Sequence, residues 1–311
     1  MNAMNALVII NNFNYGRYLD ECIGSVMKQT RVPDRVVIVD DGSTDDSLAV
    51  IQRWRQRHSR IALISKSNGG QLSCFNAAVP YVQSNDVVFL LDADDTYPSN
   101  YIETVLSHYN ADVDMVFAEK RCFGSEIGKP VDCCRTGDAE RIVTIEMSTH
   151  VNRLLMCWLG RPTSGISLCG SMYHRLLPYK DEMSWMVCAD NILVHGASLV
   201  GGAKRFLLDV SYNYRVHGHN RWHGKPEVFH NKERQAALLR LIEHMASCPA
   251  APVLPTGHIG LIMGALRECQ AVPRRMRCEI GLPPIHWILL PPLLTWIGYL
   301  VRWKSADVTT R

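Results

Sequence analysis

The chain has 311 residues, room for one α/β domain with an appendage or for two small domains. With 47% hydrophobic and 20% charged residues, disorder, collagen-like repetition and a bundle of membrane spans are excluded. The net charge of +3 is too near neutrality for electrostatic capture of nucleic acid, so no nucleic-acid partner is expected.

The eleven cysteines are odd in number and contain no C-x-x-C spacing; only Cys133 and Cys134 are adjacent. This usage points to free thiols in a reducing compartment rather than a disulfide framework or a zinc ribbon. Met1 to Ile10 has no basic start, and Ala6 to Ile10 is too short for the apolar stretch of a signal peptide. The segment reads as a buried strand, and a cytoplasmic location follows as the default.

Short β-branched runs recur at Leu7 to Ile10, Val36 to Val39, Ile61 to Ile64, Val87 to Leu91 and Met115 to Phe117, each bounded by polar or turn residues. They read as buried parallel strands. Between the first two, Leu19, Cys22, Ile23, Val26 and Met27 fall on one helical stripe, and Pro33 ends that segment. Leu48, Ile51 and Trp54 form a second stripe behind Asp45, Asp46 and Ser47, which suit a helix start. Alternation of this kind predicts a mostly parallel sheet flanked by helices, with ligands bound outside the C-terminal strand ends.

Four polar loops stand at those ends: Asn11 to Gly16, Asp40 to Asp45, Ser67 to Gln71, and Asp92 to Asp95. None carries a dinucleotide fingerprint or a P-loop. A phosphate-bearing ligand here calls for a metal, and Asp92 and Asp94, spaced D-x-D after a buried strand, offer hard oxygen ligands of the kind Mg²⁺ or Mn²⁺ accepts. Taken singly, Asp40 to Ser43 also reads as a turn with a helix cap. The ordered set of four loops is what makes the pattern specific.

Further along, Gly124, Gly128, Pro130 and Gly137 mark loops before a helix expected around Ile145 to Trp158. Pro162 to Ser167 reads as a short strand. Ile192, Leu193, His195, Gly196 and Leu199 form a helical stripe with Asp190 in its first turn, where a carboxylate also simply complements the helix dipole. Lys204 to Leu208 and Tyr212 to Val216 read as two more strands. His217, His219 and His223 lie close together, but no cysteine pair accompanies them, which argues against zinc. Trp222 fits either a packing role or a sugar-stacking one. Pro226 to Met245 has the pattern of an amphipathic helix. Ile285 to Val301 is strongly apolar, yet Pro291 and Pro292 break it and basic residues flank both sides. It fits an interfacial or re-entrant anchor at the membrane, or a helical hairpin packed on the domain or an oligomer interface, better than a span.

The motifs Leu7 to Asn14, Val37 to Asp45, Asn68-Gly-Gly, Leu91 to Asp95, Cys188-Ala-Asp190 and Tyr214 to Asn220 together resemble the inverting family 2 nucleotide-diphospho-sugar glycosyltransferases of bacterial type and GT-A fold. The resemblance covers residues 6 to 220. It implies a GT-A-like α/β domain over 1–220 and a helical C-terminal extension over 221–311. It also implies that Asn12, Asn14, Asp41 and Asn68 lie along the nucleotide, that Asp92 sits near the ribose, and that Asp94 holds a divalent metal on the diphosphate with His217 in reach. Asp190 would be the general base, because inverting transfer needs one carboxylate to take the acceptor's proton. Two departures stand out: Asn11-Asn-Phe-Asn14 replaces the usual Pro-Thr-Tyr-Asn start, and Ala189-Asp190 replaces the frequent Glu-Asp.

The expected reaction is metal-dependent inverting transfer from a nucleotide-diphosphate sugar, a UDP-sugar foremost, to a glycan or lipid-linked glycan acceptor, as in cell-surface polysaccharide synthesis. The expected setting is the cytoplasm or the inner face of the cytoplasmic membrane, touched through 285–303. A sugar-phosphate nucleotidyltransferase and a noncatalytic glycan- or partner-binding module are the alternatives.

Overall fold

The computed structural model describes residues 4–124, 141–218, 220, 232–248, 251–252, 258–272, 274–277, 279–280 and 282. The first five expected strands are present as β1 (Asn5–Asn12), β2 (Arg35–Asp40), β3 (Ile61–Ser65), β4 (Asp86–Asp92) and β5 (Met115–Phe123). Three more complete the sheet: β6 (Ile142–Ile145), β7 (Ile166–Cys169) and β8 (Lys204–Arg215). Their spatial order is β3-β2-β1-β4-β7-β5-β8-β6. β1, β2, β3 and β4 pair in parallel, as do β5 and β8, whereas β7 runs antiparallel to both β4 and β5, and β6 is antiparallel to β8. The sheet is therefore mixed, with two reversed strands set into an otherwise parallel frame.

Period-two alternation buries both faces of the sheet. Ala6, Val8, Ile10, Val36, Ile38, Phe89 and Leu91 face one layer. That layer is built from α1 (Gly16–Met27), α2 (Ser47–Arg57) and α4 (Tyr101–Ser107), whereas α3 (Gln71–Ala78) lies on the opposite face. Leu7, Ile9, Val37, Val39, Val88 and Leu90 face the other, where Leu72 and Phe75 of α3 pack. Joining them there are α5 (Thr149–Leu155), α6 (Gly170–Leu176) and α7 (Asp190–Leu199), through Val151, Tyr173, Ile192 and Leu193. The stripe Leu19, Cys22, Ile23 and Val26 is wholly buried, as the spacing requires.

Two local readings are corrected. The helix expected from Ile145 to Trp158 is a strand followed by a shorter helix: Ile142–Ile145 pairs with the edge of β8, and α5 ends where Met156 turns left-handed at φ 50°. The two strands expected over 204–216 are one. Its register with β5 jumps between Ala118 and Glu119, so the polar break around Asp209 is a bulge that the ladder absorbs.

Beyond residue 220, α8 (Lys232–Ala246) and α9 (His258–Gln270) extend the second layer. Ala237, Leu241 and Met245 of α8 and Ala265 and Cys269 of α9 are buried in the same apolar cluster as β1, β4 and α7. Glu268 of α9 accepts hydrogen bonds from the backbone N–H groups of His150 and Val151, at 3.1 and 2.9 Å. It thereby caps the first turn of α5 from another part of the chain. No described helix is long and apolar enough to cross a membrane. The cysteine pair 133–134, His219, Trp222, His223 and the segment 285–303 lie outside the described residues.

Candidate active site

Parallel strands end together, so the loops after β1, β2, β3 and β4 meet at one sheet edge, where they border a cleft of about 940 Å³. Asn12, Asp41, Asn68, Asp92, Asp94 and Asp190 all line it. Asn14 and His217 do not.

The loop after β2 is ordered around Asp41, which is 3% exposed. Its Oδ1 accepts Lys66 Nζ at 2.5 Å and the Gly69 N–H at 3.0 Å, and its Oδ2 accepts the Gly70 N–H at 2.7 Å. Gly70 has φ 84°, and a Cβ there would come within 2.3 Å of the Met186 backbone. Only glycine allows this approach, which lets the Gln71 N–H reach the Met186 carbonyl at 2.8 Å. Asn12 donates to Asp40 Oδ1 at 2.8 Å and to Ser43 at 3.1 Å. The amide oxygens of Asn11 and Asn12 are buried without a partner among the described residues. Asn14 adopts the left-handed conformation at φ 57° and accepts the Thr44 N–H at 2.7 Å, so it braces two loops against each other.

At the end of β4 three aspartates crowd together. Asp92 Oδ1 accepts Asn11 Nδ2 at 2.7 Å and Gln71 Nε2 at 3.2 Å. Burial, with the charge of Asp94 next in weight, lifts its carboxyl to about 7. Burial, followed by the charges of Asp94 and Asp92, pushes the Asp95 carboxyl well up, while it accepts Ser164 Oγ at 2.6 Å and the Arg215 N–H at 2.8 Å. Asp94 Oδ2 lies 3.0 Å from His217 Nε2, so His217 meets the site through Asp94 rather than at the cleft wall. Arg215 Nε donates to the Asp94 carbonyl at 2.7 Å and fixes the backbone beneath the loop.

Asp190 begins α7 and is 8% exposed. Burial raises its carboxyl to about 6, against the opposing pull of the Asn191 N–H and the Arg234 charge. Its own charge is among the causes that raise Asp92.

Sequence reasoning passed over three residues of this site. Gln71 donates to Asp92 and, at 3.0 Å, to Thr163 Oγ1, while its Oε1 accepts the Ala189 N–H at 2.8 Å. One carboxamide thus ties the β4 loop, the Thr163 turn and the start of α7 together; its place directly after Asn68-Gly-Gly was the available signal. Lys66 holds Asp41. Arg234 of α8 stacks over the Trp185 ring at 4.6 Å and lines the cleft, and nothing in a charged amphipathic pattern marks it out.

The profile of Glycosyl transferase family 2 matches residues 7–175, more than half of the chain. The chain belongs to glycosyl transferase family 2. Relatives of this family 2 glycosyltransferase include an uncharacterized glycosyltransferase of Nostoc, 31% identical over 70% of this chain and 66% of that protein. The uncharacterized glycosyltransferase YibD of Escherichia coli is 28% identical over 88% of this chain and 80% of its own length. The chondroitin synthase of Pasteurella multocida is 34% identical over 34% of this chain, a match that spans only 11% of the synthase. Among solved structures, Staphylococcus aureus TarS 1–349 in complex with UDP-GlcNAc has a TM-score of 0.53 at 17% identity, covering 93% of this chain and 88% of that one. The Pyrobaculum calidifontis mannosyltransferase in complex with GDP-Man and Mn²⁺ has a TM-score of 0.53 at 15% identity, covering all of this chain and 84% of its own. These likenesses establish the GT-A-like fold of the family 2 enzyme. Family membership and the named glycosyltransferase relatives support a glycosyltransferase enzyme.

Proposed function

We propose that this glycosyltransferase transfers a sugar with inversion from a nucleotide-diphosphate donor, foremost a UDP-sugar, to a glycan or lipid-linked glycan acceptor, with Mg²⁺ or Mn²⁺ as cofactor. The observation that carries the reading is the gathering of Asp92, Asp94 and Asp190 on one cleft whose rim is made by the β1, β2 and β3 loops. Support from outside the chain is that structural neighbours were solved with UDP-GlcNAc, and with GDP-Man and Mn²⁺.

The donor set suits a hard divalent ion. Burial and, after it, the charge of Asp94 raise the Asp92 carboxyl, and a cation bound between the two would offset both. Among the described residues no group of three or more His, Cys, Asp or Glu is gathered as a metal cage. Mg²⁺ and Mn²⁺ sites commonly use one or two protein carboxylates and complete themselves with phosphate oxygens and water. Asp94 would hold the ion, with His217 beside it, and the ion would stabilise charge on the departing diphosphate.

The remaining work falls to this chain's own residues. Asn12, Asp41 and Asn68, which line the cleft, serve the base and ribose. Asp92 serves the ribose. Asp190 takes the proton from the acceptor hydroxyl as the new O–C1 bond forms, and the C1–O bond to the diphosphate breaks with its electron pair going to the diphosphate. Gln71 keeps the Asp92 and Asp190 sides in register. Residues 1–220 carry the donor site and the base, while the 221–311 extension adds a wall through Arg234. The apolar segment 285–303 places the enzyme at the inner face of the cytoplasmic membrane. A panel of UDP- and GDP-sugars, assayed for nucleoside diphosphate release with Mg²⁺ or Mn²⁺, tests the reading. Release from at least one donor is expected, and release from none overturns it.

A further inference from the structure

We propose that Trp158 is the platform on which the acceptor's sugar ring lies, held in place by two buried side chains that pin the backbone on either side of it. The inference rests on the glycosyl-transfer reading above and assigns one face of the cleft to the acceptor.

Trp158 lines the cleft and is 36% exposed. The other tryptophan at the site, Trp185, is fully buried beneath Arg234. A half-open indole in a cleft is unusual enough to ask what covers it. The short segment that carries it has been fixed at some cost. Met156 takes the left-handed conformation at φ 50°, which a side chain rarely adopts. Asn152, fully buried, donates from Nδ2 to the Cys157 carbonyl at 2.8 Å. Lys204, also fully buried, donates from Nζ to the Leu159 carbonyl at 3.1 Å. The residues immediately before and after Trp158 are therefore each tied to the core.

The Lys204 pin also explains why the platform belongs to the acceptor. The same ammonium donates to the Val194 carbonyl at 2.7 Å and to Ser198 Oγ at 2.6 Å. Both belong to α7, one and two turns beyond Asp190. Three oxygen acceptors surround this one buried nitrogen, so the lysine is held in a single orientation. It links the backbone of the platform directly to the helix that carries the base. The donor loops, by contrast, come from the ends of β1, β2, β3 and β4. A surface whose position is fixed relative to the proton acceptor is what an attacking hydroxyl needs.

The chemistry of the surroundings names the ligand class. Met156, Pro162, Met186 and Leu238 line the same cleft as Trp158 with apolar surface, and Thr163, Asp190 and Asn191 add polar groups to its lining. A pyranose has a C–H face that matches an indole and a rim of hydroxyls that needs hydrogen-bond partners. A terminal pyranoside, carrying the nucleophilic hydroxyl on its rim, fits both.

The test uses the full chain with Mn²⁺ and the sugar nucleotide that turns over in the donor panel. Methyl β-glucoside, methyl β-galactoside and methyl β-N-acetylglucosaminide are added as acceptors, and nucleoside diphosphate release is followed. At least one glycoside should accelerate release by the wild-type enzyme. Trp158→Ala should raise its KM by about tenfold or more, and Trp158→Phe should recover part of that loss. Calorimetric affinity for the nucleoside diphosphate should stay within about twofold in both variants, a split that general destabilisation would not produce. Lys204→Met, which loosens the pin without touching the cleft, should raise the glycoside KM in the same direction. The proposal is overturned if no glycoside accelerates release, if Trp158→Ala leaves the glycoside KM unchanged, or if nucleotide affinity falls in parallel with it. Failure of the wild type to bind any nucleoside diphosphate would instead remove the glycosyl-transfer reading itself.

Discussion

Replacing Asp190 by Asn separates chemistry from stability in a way the structure makes quantitative. Burial holds the Asp190 carboxyl at about 6 instead of the ordinary 3.8. The folded state therefore holds a proton that the unfolded chain has lost between those two values, and its stability falls as pH rises through this window. Above pH 6 the full cost of the buried charge is present, on the order of 3 kcal/mol. Asparagine keeps the shape and carries no charge, so Asp190→Asn should be more stable than wild type above pH 6, by several degrees in Tm. The gain should shrink as pH falls through this window and approach zero only below pH 3.8, where the carboxyl is protonated in both the folded and the unfolded chain. Activity should move the opposite way. A base of pKa about 6 is mostly ionised at neutral pH yet still basic enough to accept a hydroxyl proton. Its loss should lower kcat by roughly 10²- to 10⁴-fold, about 3 to 5 kcal/mol of barrier. Wild-type kcat, measured with donor and Mn²⁺ saturating so that Asp92 stays ionised, should show an acid limb near pH 6 that the variant lacks. Scanning calorimetry at two pH values and the kcat profile form one assay. Transfer within about threefold of wild type, or a Tm gain that does not depend on pH, would refute the reasoning.

Asp94→Asn should leave the fold intact and weaken Mn²⁺-dependent binding of the nucleoside diphosphate by about tenfold or more, because one hard anionic ligand is gone; calorimetry with and without Mn²⁺ reads this, and equal metal-sensitive affinity in both proteins contradicts it. Lys204 is lowered by burial from 10.5 to about 7, so between those values the unfolded chain binds the proton that the folded one has lost. Wild-type stability relative to Lys204→Met should therefore rise with pH from about 7 to about 10, and a constant difference in Tm across that range would be evidence against it. Deleting residues 283–311 should abolish flotation with liposomes containing anionic lipid, and unchanged flotation would remove the membrane role of the tail.

The first half of the domain was legible because its determinants are local. Runs such as Val36 to Val39 and the stripe from Leu19 to Val26 meet the periodicities of buried strands and helices within a dozen residues, and chain alternation then fixes which ends the polar loops share. Asn12, Asp41, Asn68, Asp92 and Asp94 could thus be placed on one edge from sequence order alone. The break between Leu208 and Tyr212 was misread because a bulge and a turn both begin with a polar interruption; only the partner strand β5, more than eighty residues away, shows that pairing resumes. Ile142 to Ile145 is a strand for the same reason, since its ladder comes from β8.

The strand-helix alternation, the D-x-D loop and the family lie in contiguous residue types whose preferences act over a few positions, so they are readable before the chain folds. The Gln71 bridge to Asp92, Thr163 and Ala189, the entry of Arg234 of the C-terminal extension into the cleft, and the tie that Lys204 makes between Leu159 and Val194 arise from the folded chain alone. Each of these is a contact between groups far apart in the chain. Their free energies depend on burial and on the direction of single donors and acceptors, quantities that exist only once the chain has closed around them.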